Sequence, residues 1–123
     1  MDRSPLVVAG ALNAAFAVAA GAFGAHALRE RLTPRALEIF DTGARYQMYH
    51  ALAMILAGLI ASRLAGANIA GWIFQAGIVL FAGSLYALAL TDVKILGAIT
   101  PLGGVAFLVG WGLLAWTAWR GGQ

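Results

Sequence analysis

Residues 31–54, RLTPRALEIFDTGARYQMYHALAM, carry the transition on which the fold depends. A charged beginning passes through Tyr46, Gln47, Tyr49 and His50 into an apolar run. Seven of the thirteen charged residues lie between Arg29 and Arg45, so this is the one strongly polar connection in the chain. Elsewhere the sequence is oily: 62% of residues are hydrophobic and 11% charged, whereas a soluble domain carries roughly 25% charged residues. A water-soluble fold of this composition has too little polar surface to cover itself. The net charge of +3 is therefore read as a membrane-orientation signal and not as a nucleic-acid footprint.

Outward from that connection, four apolar runs stand at about residues 6–28, 47–62, 69–90 and 95–119. Three reach the ~20 residues that cross a ~30 Å hydrocarbon core at 1.5 Å per residue. The second does so only if Ala44 to Tyr46 belong to the same helix. A bilayer admits helices or closed barrels, and no period-2 alternation is present. The expected fold is all-α: one domain, an integral membrane bundle of four transmembrane helices at about 6–28, 44–62, 69–90 and 93–119. Residues 63–68 and 91–94 are minimal connections, which make sequential helices antiparallel neighbours. The first run has some signal-peptide character, with Arg3 before it and Ala25-His26-Ala27 at its end. Its length and the arginines directly after it, Arg29, Arg31 and Arg35, favour a retained helix.

Thr33-Pro34 has the form of an N-cap followed by proline at the first helical position, placing a short amphipathic extension ahead of the second span. Glu38, Asp41 and Arg45 share one side of it, and Leu37, Phe40, Ala44 and Met48 an adjacent side. The Asp41–Arg45 spacing is the favourable i,i+4 order, worth about 0.5 kcal/mol when exposed. Gly43 is the expected bend. Arg29, Arg31, Arg35, Arg45 and Lys94 stand on one side of the membrane against Arg3, Arg63 and Arg120 on the other. The excess puts the long connection in the cytoplasm and both termini outside it, with Arg29, Arg31 and Arg35 at lipid headgroups.

Within lipid, helices associate through close backbone approach, so small residues form the packing code. The expected stripes are Gly10, Ala14, Ala17, Gly21, Gly24 and Ala25; then Ala53, Ala57 and Ala61; then Ala76, Gly83 and Ala87; then Gly103, Ala106 and Gly110. Together they predict a compact bundle. Pro101, with Thr100, Gly103 and Gly104 around it, is expected inside helix 4 as a kink of the ordinary membrane-helix kind. Trp111, Trp116 and Trp119 resemble an interfacial aromatic belt, anchored by Arg120.

The polar residues with a claim on function are Asn13, His26, Tyr46, Gln47, Tyr49, His50, Gln75, Ser84 and Tyr86, because polar groups at membrane depth usually face the bundle interior. Of these His26, Tyr46, His50, Ser84 and Tyr86, joined by Arg45, form the candidate cluster. Two histidines make half a metal site, and nothing is spaced to finish it. Interhelical hydrogen bonding is the preferred reading over a proton-linked role. No hydrolase elbow, phosphate loop or zinc-protease helix is present. No catalytic residue, metal or cofactor is expected, and with no cysteine there is no thiol chemistry.

GAFGAHALR closing helix 1, FDTGARYQMYHALAM opening helix 2, FAGSLYAL in helix 3 and LGAITPLGG in helix 4 give the chain a resemblance to a known family. It resembles the YgdD-like family, domain of unknown function 423, to which eukaryotic transmembrane protein 256 is also similar. The resemblance implies a small multi-pass protein of the bacterial inner membrane, with no established reaction, substrate or cofactor. It singles out Gly24, His26, Gly43, Arg45, Tyr46, His50, Ser84, Tyr86, Thr100, Pro101, Gly103 and Gly104. The leading expectation is a non-enzymatic protein acting by association with itself, with membrane lipid or with a membrane-protein partner, and not with nucleic acid. The alternative is a small transporter or channel with a polar path near His26, His50, Tyr86 and the Pro101 kink.

Overall fold

Three of the four long helices begin where the sequence supplies a cap or a proline. Ser4 accepts the Val7 N–H at 3.2 Å ahead of Pro5, and Thr33 accepts the Ala36 N–H at 3.1 Å ahead of Pro34. The computed structural model describes residues 3–121. Four long helices result: α1 (Pro5–Leu28), α2 (Pro34–Ile60), α3 (Ala65–Thr91) and α4 (Thr100–Arg120), with a 3₁₀ helix at Lys94–Ala98 before the last. No strand occurs among the described residues. Pro5–Leu28, Ala65–Thr91 and Lys94–Arg120 are long and apolar enough to cross a bilayer. Helix α2 is as long as α3, but Arg35, Glu38, Asp41 and Arg45 occupy its first half.

The chain folds back on itself at each connection. Gly10 lies against Ala51 and Met54 while Gly24 meets Phe40, so α1 and α2 are antiparallel. Likewise His50 packs on Phe74 while Gly43 meets Tyr86, and Gly110 packs on Phe74 while Gly103 meets Phe81. Interfaces form between α1 and α2, α2 and α3, and α3 and α4, but α1 and α4 do not pair. Helices α2 and α3 are thus a central pair flanked by α1 on one side and α4 on the other, an opened arrangement in place of the compact bundle expected.

The reason lies on α3. Ala76, Gly83 and Ala87, the stripe expected to pack, are exposed or half-buried, whereas Ala67, Ala70, Gly71, Phe74, Gly77, Ile78 and Ala82 are buried. These residues cover two adjacent faces, one for α2 and one for α4. Two glycines set the approach: a Cβ at Gly10 would stand 2.9 Å from the Ala51 carbonyl oxygen, and one at Gly103 would stand 2.7 Å from the Phe81 Cα. Only hydrogen fits in either place, and dispersion between the backbones follows. The outer surfaces of α1 and α4 are left apolar, with Leu12 67%, Phe23 73% and Leu108 72% exposed. In lipid such surfaces need no further cover.

Three local expectations change. Helix α2 runs unbroken through Gly43, which is buried against Tyr86 instead of bending the chain. Pro101 is not in the interior of a helix: it stands in the first turn of α4, just after the 3₁₀ segment, where its missing N–H removes no intrahelical bond. In α1, residues Ala19–Gly24 form a π turn in which the Ala25 N–H bonds to the Ala20 carbonyl. The wider turn shifts the register of the last residues and leaves His26 exposed.

Candidate functional site

Polar side chains between the helices gather in two separate sets on opposite sides of the central pair. The first is a chain of amides between α1, α2 and α3. Tyr86 donates its hydroxyl to Gln47 Oε1 at 2.8 Å, and Gln47 Nε2 donates to Asn13 Oδ1 at 3.0 Å. Asn13 Nδ2 donates to Gln75 Oε1 at 2.8 Å and to the Ala9 carbonyl at 2.9 Å. Gln47 is 5% exposed and sits halfway along α2. Asn13 lies roughly 12 Å beyond the start of α1 and Gln75 roughly 15 Å beyond the start of α3, at 1.5 Å per residue. Phe16 and Phe40 flank Tyr86 with ring centroids 5.8 and 5.0 Å away.

The second set lies between α2, α3 and α4. His50 Nδ1 is 2.7 Å from the Tyr46 carbonyl, and the Trp111 indole N–H donates to His50 Nε2 at 3.0 Å. Because an indole only donates, Nε2 must carry the lone pair; Nδ1 then carries the proton, which the carbonyl accepts. The ring stacks on Phe107 with centroids 3.5 Å apart. Near the Pro101 end of α4, Ser84 and Thr100 share a hydroxyl–hydroxyl bond of 2.5 Å, and Ser84 also donates to the Phe81 carbonyl. Thr100 therefore ties α4 to α3 instead of satisfying a kinked backbone.

Of the candidate cluster, Tyr46 and His50 come together and Ser84 lies on the same side of the fold, while Tyr86 joins the amide chain. Arg45 is exposed and paired with Asp41 at 3.2 Å. His26 is exposed at the end of α1 and shares a hollow of about 510 Å³ with Arg29, Glu38 and Asp41, remote from both nitrogens of His50. No group of three His, Cys, Asp or Glu suited to a metal ion forms among the described residues. Trp111, expected in an aromatic belt, is instead the partner of His50. Its position two helices away in sequence gave no signal of this.

A third feature lies at the end of the fold that holds the long connection. Arg31, Thr33, Arg35, Leu88, Thr91, Asp92 and Lys94 line a bowl of about 630 Å³ between the start of α2 and the end of α3. Asp92, in the left-handed region at φ 57°, turns the chain there and pairs with Lys94 at 2.6 Å. Arg35 pairs with Glu38 at 3.4 Å, and Arg31 has no carboxylate partner among the described residues.

Residues 20–104 match the family described as protein of unknown function DUF423, a stretch that holds His26, both polar sets except Asn13 and Trp111, and the bowl. The chain belongs to the DUF423 family. It is 50% identical to the UPF0382 membrane protein YwdK of Bacillus subtilis over 108 residues, covering 85% of this chain and 88% of that one. It is 52% identical over 106 residues to a UPF0382 membrane protein of Staphylococcus epidermidis, with 85% and 87% covered. The UPF0382 membrane protein SAB0533 of Staphylococcus aureus is 48% identical over 109 residues, with 88% and 89% covered. No solved structure matches the chain. This DUF423 chain is a membrane protein of a family whose molecular function is unknown.

Proposed function

We propose that the chain spans the bacterial plasma membrane four times, with both termini outside the cytoplasm, and acts by association with anionic lipid and not by catalysis. The bowl carries this reading: Arg31, Arg35 and Lys94 line a space open to solvent, and while Lys94 pairs with Asp92 and Arg35 with Glu38, Arg31 has no carboxylate partner among the described residues. Residues 44–60 of α2 supply roughly 17 residues, about 25 Å at 1.5 Å per residue, which supports a fourth crossing when Tyr46 and Tyr49 stand near the headgroups. The bowl then lies at the cytoplasmic surface, where each basic residue contributes about 1 kcal/mol toward anionic lipid.

The two polar sets lie on opposite sides of the central pair with no hydrogen bond between them, which favours association over a transport path joining them. The test is native mass spectrometry of protein extracted from vesicles of phosphatidylglycerol mixed with phosphatidylcholine. Wild type retains the anionic lipid, and the double variant Arg31→Gln, Arg35→Gln loses that preference. Equal retention of both lipids by the wild type, or a C-terminal reporter found in the cytoplasm, overturns the proposal.

A further inference from the structure

The amide chain is not sealed from the bilayer. Two contiguous hollows of about 250 and 280 Å³ share Asn13, Phe16, Gln47 and Gln75 and open between α1 and α3. Their hydrogen-bonding capacity is unbalanced. Gln75 Oε1 accepts from Asn13, yet Gln75 Nε2 has no acceptor among the described residues, so two N–H groups point to a medium that offers none. The missing partner is thus an acceptor, carried on something apolar that reaches mid-depth. Lipid ester carbonyls lie at the interface and do not meet this need.

We infer that this groove binds a membrane-dissolved quinone, a planar lipophilic ring whose carbonyl oxygen accepts from Gln75 Nε2 and whose tail leaves between α1 and α3 into lipid. The walls suit a flat ring: Phe16 and Tyr86 supply aromatic faces, Ile78, Val79 and Ala82 aliphatic ones, and Gly83 leaves open space, since a Cβ there meets nothing within 4 Å. A second copy fits less well. Its mid-depth amides lie on the same recessed floor, behind the exposed side chains of Leu12, Phe16 and Val79, so two grooves face to face would leave both hollows empty. The site is distinct from the headgroup bowl and does not depend on it.

The test uses an azido-substituted decylquinone with full-length protein in proteoliposomes, photolysed and mapped by peptide mass spectrometry. Adducts are expected around Phe16 and around Val79 to Gly83, displaced by excess unmodified decylquinone and not by dodecane. Gln75→Leu should weaken labelling about tenfold, the loss of one hydrogen bond. Gly83→Leu, whose Cβ meets nothing within 4 Å and whose longer side chain takes up space in the hollow, should weaken it by at least as much; it decides the matter if the Gln75 variant does not fold. Arg31→Gln leaves labelling unchanged, so failure here and failure of the headgroup reading are separable. Undiminished labelling of folded Gly83→Leu, or displacement by dodecane, overturns the proposal. So does a Val79→Cys dimer cross-linked in native membranes, because a second copy would then cover the groove.

Discussion

Gly103 and Gly104 are adjacent, apolar in setting and chemically identical, yet alanine should act on them with opposite sign. At Gly103 the new methyl would stand 2.7 Å from the Phe81 Cα, and the atoms it meets are backbone, which has no rotamer to move. Ordinary carbon contacts begin near 3.5 Å, so α3 and α4 must separate by the better part of an ångström around Phe81 and Phe107. Overpacking of this kind costs about 1–3 kcal/mol. At Gly104 an added Cβ meets nothing within 4 Å. There the change only lowers the entropy of the unfolded helix, a gain of up to ~1 kcal/mol. The assay is reversible unfolding in bicelles by SDS titration, followed by far-ultraviolet circular dichroism, for Gly103→Ala, Gly104→Ala and wild type. Equal stabilities for the two variants, or a more stable Gly103→Ala, would refute the α3–α4 register on which the second polar set depends.

Three further outcomes follow from the hydrogen bonds. Nitrogen-15 NMR of the labelled protein in bilayers should find His50 protonated at Nδ1 and bare at Nε2; the reverse tautomer would contradict the Trp111 donor. Tyr86→Phe should cost about 0.6 kcal/mol and no more than about 1.7, the mean and the maximum for one hydrogen bond between membrane helices, and in the background Gln47→Leu the same change should cost almost nothing. A double-mutant cycle in bicelles checks this, with additive effects as the adverse result. Trp111→Phe should destabilise the fold by about 1–3 kcal/mol, because it leaves the buried Nε2 of His50 without a donor. The same assay would reject this if the variant matched wild type.

What the sequence made legible was set by local chemistry. Thr33-Pro34 announces the start of α2 through a cap that needs no distant partner, and the Pro5–Leu28 run is legible because length and apolarity alone decide whether a helix can span. Which face of α3 is buried was not legible. In a soluble helix the polar side marks the surface, but here both the lipid face, with Val79 and Leu90, and the buried faces, with Phe74 and Ile78, are apolar. Small residues do not settle it, because Gly83 and Gly77 look alike until Phe107 is found against one and open space against the other. Pro101 was misread for a related reason: the apolar run continues through Lys94–Ala98, so nothing in hydropathy marks the change from 3₁₀ to α.

The two polar sets differ in a way that bears on function. Around His50 every group has its complement: Nδ1 the Tyr46 carbonyl, Nε2 the Trp111 indole, and the ring the face of Phe107. Such a set can hold α2 against α4 and do nothing else without first breaking. The amide chain is different, since Asn13, Gln47 and Tyr86 are spoken for while Gln75 keeps donors facing an opening. A mid-bilayer amide left in that condition is unfavourable unless an acceptor arrives. If structural glue were its only role, leucine at position 75 would remove the bond between α1 and α3 and destabilise the fold, leaving the Asn13 amide its bond to the Ala9 carbonyl. Stability measured for Gln75→Leu beside its quinone labelling separates the two roles: a fold as stable as wild type with labelling lost assigns Gln75 to a ligand, whereas a destabilised fold with labelling intact assigns it to packing.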